Sequence, residues 1–211
     1  MALPVATNLL SEDEKLRLQA LEATANRSNT EKLELAVLYI MGAAEDRALS
    51  VLTELHRDDP GDALPRILWS YCALHHLMDA SSLHQAESLL RPLASGGQTK
   101  WVAAANLLLA QIVHDLDSSS SSKLAEEIAL LEASVEAEPS WVYNHYLLSL
   151  AYRRSARLEK AEREHRAALE NYRLSDSPEH AYVISTFLER SIAGRQSRSL
   201  RFLESEEQSE M

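Results

Sequence analysis

Glycine and proline are scarce in this chain, 5 and 6 among 211 residues. Strands joined by tight turns need turn residues at every reversal, and alternating runs of Val, Ile and Thr are missing as well. The composition favours helices, and an all-α fold is the default expectation. The single cysteine, Cys72, rules out an intramolecular disulfide and suits a reducing compartment. No window approaches the roughly 20 apolar residues that a membrane span requires. Met1–Leu10 is apolar but lacks the basic start and long hydrophobic run of a secretory signal, and acidic residues follow at once, so the expected location is the cytoplasm. Positive charge is in deficit, with 21 Lys and Arg against 32 Asp and Glu and a net charge of −11. Such a chain repels a phosphate backbone, and no nucleic acid is expected among its partners.

What is present is a spaced set of residues that occurs twice. Leu35, Ala36, Tyr39, Ala48 and Leu52 are matched by Leu148, Ser149, Tyr152, Ala161 and His165 at the same offsets. Pro60 closes the first set, and Pro139 lies where a preceding unit would end. Between them, Trp69, Ser70 and Ala73 with Ala86, Leu90 and Leu93 form a second unit, its intervening turn longer by a few residues. Trp101, Ala104, Ala105 and Leu108 open a third, in which Glu127 stands where a small residue is expected. Asp117 and Ser118–Ser122 have little to bury and read as a mobile loop inserted in this unit.

The helix signals agree with this phase. Ser11 with Glu14 and Ser28 with Glu31 are capping boxes, the first opening an N-terminal capping helix, the second opening the first unit. Gly42 breaks that unit's first helix, and Asp58 to Gly61 turn the chain after its second. Ser177 and Pro178 start a final capping helix that Gly194 ends. The expected divisions are therefore 1–29, a repeat region over 30–174 in units of about 30–60, 63–95, 98–139 and 140–174, a C-terminal helix over 175–194, and a tail over 195–211.

These residues resemble the tetratricopeptide repeat pattern, W-x2-L-G-x2-Y, then A-x3-F, then P. The resemblance implies an all-α fold, a right-handed superhelical stack of about four helix pairs between N- and C-terminal capping helices. Ala36, Ala48, Ala105 and Ala161 would let paired helices approach, with Tyr39, Leu52, Leu108 and Tyr152 filling the space beside them. It also implies a concave groove, lined by the first helix of each unit, that holds a peptide or amphipathic helix of another protein. Carried over, the lining is Leu33, Val37 and Met41, then Ile67, Tyr71 and His75, then Asn106, then Tyr143, Tyr146, Arg153 and Arg154. Members that grip the C-terminal carboxylate of heat-shock proteins carry Lys and Asn where this chain has Leu33 and Val37, so that mode is not implied.

No residues for catalysis are visible: G-x-S-x-G, H-E-x-x-H and a phosphate-cradling glycine loop are all missing. Cys72, His75, His76 and His84 are the densest set of metal-ligand types, but Cys72 falls in the packing phase, as a core cysteine would. Glu162 and His165 have the spacing of a di-iron bundle motif that would be needed twice. No metal or cofactor is expected. Arg153, Arg154 and Arg157 form a basic rim suited to an acidic ligand, while Arg163 and Arg166 are expected to pair with Glu159 and Glu162. The expected function is a non-enzymatic adaptor or scaffold. The alternative is a dedicated chaperone for an aggregation-prone subunit, similar to the small tetratricopeptide chaperones of bacterial secretion systems. A second copy of the chain stays open as a partner.

Overall fold

Ser11 and Ser28 each open a helix by satisfying two amides at once. Each serine Oγ accepts from the amide three residues on at 3.3 Å, while Glu14 and Glu31 accept from the serine amides at 2.8 and 2.9 Å. The computed structural model describes residues 10–96, 99–117 and 119–174. The chain divides into two compact units, Met1–Tyr172 and Arg173–Met211, and the described residues other than Arg173 and Leu174 belong to the first. The helix expected over 175–194 and the tail over 195–211 lie outside the described residues.

The helices are α1 (Glu12–Ala23), α2 (Asn29–Met41), α3 (Glu45–Asp58), α4 (Ala63–Cys72), α5 (Ala80–Ala94), α6 (Thr99–Leu116), α7 (Ser121–Ala137), α8 (Val142–Arg154) and α9 (Leu158–Leu174). A π-helical turn, Ala73–Leu77, continues α4. No strand occurs among the described residues. Short connections make successive helices antiparallel neighbours, and α2 also touches α4, as α4 touches α6. Alanine sets the approach. Ala36, Ala48 and Ala105 are 0% exposed and Ala161 1%, and Leu52, Leu108 and Tyr152 are buried beside them.

The first and fourth pairs share one turn. Ala43 N donates to Ile40 O and Ala44 N to Tyr39 O, and Ala156 N and Arg157 N donate in the same way to Arg153 O and Tyr152 O. This is the Schellman arrangement, whose central residue is left-handed. That residue is alanine both times, Ala43 and Ala156, each with φ of 58°. Gly42, one residue earlier, has φ of −84°. Space is tight there instead, since a Cβ would lie 3.1 Å from both Leu10 Cδ1 and Leu38 O.

Tyr39 and Tyr152, which end these turns, are anchored alike. Tyr39 Oη donates to Glu22 at 3.0 Å under the Arg47 guanidinium, and Tyr152 Oη donates to Glu132 with Lys160 Nζ 5.1 Å from its ring. Burial, then the bond to the glutamate, raises both phenols above their usual range.

The second and third units depart from the simple repeat. Left-handed Met78 lies five residues beyond Ala73, whereas Ala43 lies four beyond Tyr39, so the π turn absorbs one of the extra residues. The remainder extend the start of α5, where Asp79 accepts from Ser82 N at 3.0 Å. In the third unit the serine loop is shorter than expected. Ser120 precedes α7, Ser121 and Ser122 lie in its first turn, and Asp117 Oδ1 accepts from Ser119 N at 3.2 Å. Ser120 makes no side-chain cap to α7, and its hydroxyl lies 2.8 Å from that of Ser122. Farther on, Asn144 Nδ2 satisfies two carbonyls at the end of α7, Ser134 O at 3.2 Å and Glu138 O at 2.8 Å. His145 lies buried between Glu164 Oε2 at 2.8 Å and Pro139 O at 2.9 Å, locking α8 against α9. Arg163 bonds that same Glu164 at 2.9 Å in place of the expected Glu159.

Two outcomes follow from this packing. Replacing Ala161, 1% exposed among Tyr152, Ala151 and Leu148, by Trp overpacks the closest contact of the fourth pair. A loss of about 1–3 kcal/mol or more is expected in urea unfolding, and an unchanged midpoint would refute the packing described. Cys72 is 0% exposed, and burial pushes its thiol up to about 12, with a smaller contribution from Glu45. At neutral pH iodoacetamide should therefore label it only as fast as the fold opens. Equal labelling rates in the native and urea-unfolded chain would contradict its place in the core.

Candidate functional site

Helix α8 has two contrasting faces. Val142, Asn144, His145, Leu148, Ser149, Ala151 and Tyr152 are buried. Tyr143, Tyr146, Leu147 and Leu150 are half-buried, and Arg153 and Arg154 are exposed. Residues three and four apart share a helix face, so this second set is one stripe running from aromatic to basic. The Tyr143 and Tyr146 rings stack with centroids 6.4 Å apart.

The stripe borders a cavity of about 420 Å³. Its apolar wall is Leu74 from the π turn, Ala110 from α6, Leu131 from α7, and Leu147 and Leu150 from α8. Its polar wall is His75, Gln111, His114, Asp115, Glu127, Arg153 and Arg154. An apolar chamber with a few convergent polar groups, in this size range, is the usual form of a ligand site.

Glu127 organises one side of it. Its carboxylate is buried, with 8% of the side chain accessible, and accepts from the Arg154 guanidinium. Arg154 also meets His114 Nδ1 at 2.8 Å. The same His114 Nδ1 lies 3.5 Å from Glu127 Oε2. The network joins α6, α7 and α8 and removes Arg154 from the free basic rim. Arg157 is drawn away too, lying 6.0 Å from the Tyr152 ring centroid. The neighbouring Asp115 carboxyl is held above its usual range, by desolvation first and by Glu127, with His114 acting the other way.

The expected lining residues are distributed unevenly. His75, Arg153 and Arg154 meet at the cavity. Tyr143 and Tyr146 lie farther along the α8 stripe, and Leu33 is half-buried on α2. Val37, Met41, Tyr71 and Asn106 are buried and Ile67 is 0% exposed, so these five have little or no side-chain surface for a ligand. Both α2 and α4 have a helix of an adjoining pair against them, α4 for the one and α3 and α6 for the other. Asn106 turns its amide onto Val102 O at 2.9 Å, and Tyr71 packs edge-on against His75 with centroids 4.5 Å apart. Glu127, His114, Asp115 and Leu147 join the site without having been expected there. For Glu127 the signal was visible, a carboxylate at a small-residue position.

The metal-ligand types do not converge. Cys72 is buried in the core, His76 Nε2 meets Asp46 Oδ1 at 3.0 Å, and His84 Nδ1 lies 3.5 Å from Glu87 Oε2. Among the described residues no group of three or more His, Cys, Asp or Glu is placed to hold a metal ion, and no helix is long and apolar enough to cross a membrane.

No protein-family model and no curated protein matches this sequence. Solved structures do. TTC0263, described as a thermophilic TPR protein in Thermus thermophilus, is similar at 16% identity and a TM-score of 0.59, over 78% of this chain and 83% of its own. MamA 41-end from Desulfovibrio magneticus RS-1 is similar at 16% identity and a TM-score of 0.58, over 79% of this chain and 89% of its own. A crystal structure of MamA is similar at 16% identity and a TM-score of 0.57, over 76% and 86%. Likeness at that identity speaks for the fold alone, and with the nine helices of the described residues the fold is the tetratricopeptide-type all-α helical repeat.

Proposed function

We propose that this chain is a non-enzymatic adaptor that holds a helix or extended segment of another protein against the α8 stripe and the cavity beside it. The observation that carries the reading is the continuity of Tyr143, Tyr146, Leu147 and Leu150, half-buried on a helix whose other face is core. A stripe of this kind matches helix-in-groove recognition, where anchors recur at three- and four-residue spacing. Tyrosine supplies large contact area at small entropic cost and is enriched among residues that dominate binding energy. The pairing of buried Glu127 with exposed Arg154 fixes the wall of the site, so a ligand meets a preformed surface.

A photo-reactive amino acid at position 146 should crosslink one predominant protein in cells, while the same group at exposed Arg166 on α9 should not. With that partner purified, Tyr146→Ala should weaken binding by about fivefold or more and leave helicity intact. Equal crosslinking from both positions, or unfolding of the Tyr146→Ala protein, would overturn the reading. Expressed without this chain, the partner should stay soluble; aggregation would make the chain a dedicated chaperone instead.

A further inference from the structure

Two opposite charges line the cavity without partners. Arg153 on α8 and Asp115 on α6 both face it, and neither side chain makes an ion pair or hydrogen bond with a described residue. Their sequence neighbours differ, since Arg154 and His114 are bound to each other and Arg154 to Glu127. Around the two free charges stand Leu74, Ala110, Leu147 and Leu150. A charge beside an apolar wall loses hydration, and an ion pair across an interface restores what was lost. The raised Asp115 carboxyl is in keeping with a site that lacks its cation.

We propose that the cavity receives a partner helix in which a large apolar side chain is flanked by one acidic and one basic residue, the acid meeting Arg153 and the base meeting Asp115. This rests on the adaptor reading above and names the chemistry of its ligand. On a helix, residues one turn to either side of an apolar anchor share its face, so the three groups form one compact epitope. Charge selects against the alternatives. A wholly basic segment, attracted by the net charge of −11, would set a cation against Arg153. A wholly acidic one would set carboxylates against Asp115 and Glu127.

The test is selection of a displayed library of random helical peptides on the full-length protein. Binders should carry an apolar residue with an acid and a base each within one turn of it. Arg153→Gln and Asp115→Asn should each weaken them about tenfold, the size of one charged hydrogen bond. The double reversal Arg153→Glu with Asp115→Arg should prefer peptides with acid and base exchanged. Binders that need Tyr146 yet are indifferent to Arg153 and Asp115 would overturn this inference and leave the adaptor reading standing. Binders indifferent to Tyr146→Ala as well would overturn both.

Discussion

The stack depends on how closely two helices can approach, and that distance is set by alanine. Ala36, Ala48, Ala105 and Ala161 are at most 1% exposed, and each is a point where a longer side chain would push two backbones apart. Close approach lets Leu52, Leu108 and Tyr152 fill the flanks, and only then does one pair present a surface on which the next can settle. The α8 stripe is a product of this constraint. Ala151, Ser149 and Leu148 commit one face of α8 to the pair, and the half-buried stripe lies on the opposite face.

Polar contacts hold the units in relation to one another in a different way. Tyr39 with Glu22 and Tyr152 with Glu132 each reach back to an earlier helix and carry a cation over the ring from the helix that follows. Three elements are thereby joined at one phenol. The Glu127–Arg154 pair acts similarly across α7 and α8. Only the Glu127 carboxylate is buried, so losing Arg154 would leave that charge without its cation, and the pair makes one arrangement of the helices preferable to its neighbours.

The fold was legible because its spacing constraints are local: small residues in register, capping boxes at Ser11 and Ser28, and prolines at 60 and 139. Hydrophobic periodicity reports which residues turn inward, but it does not say how much surface the adjoining pair will cover. That is why Ile67 and Tyr71 read as groove lining and are core. The π turn left no signal, since Ala73–Leu77 suits an ordinary helix and only tertiary packing determines where an extra residue goes. The pairing of Arg163 with Glu164 was likewise out of reach, because the choice between Glu159 and Glu164 is made by His145 on another helix. Glu127 was the informative exception. It looked like decay of the repeat, and it is the carboxylate around which the cavity wall is built.

The turns inside the first and fourth pairs place their residues against the usual preference. A left-handed conformation suits glycine, yet Ala43 and Ala156 adopt it, and the nearby glycine sits where space beside Leu10 is tight. For an L-residue that conformation costs roughly 1–2 kcal/mol. The same strain is thus lodged at two equivalent bends of the molecule, where a single methyl group separates the observed turn from a relaxed one. Glycine at either position would relieve that cost, so the slack in this stack lies where one helix of a pair folds back on the other.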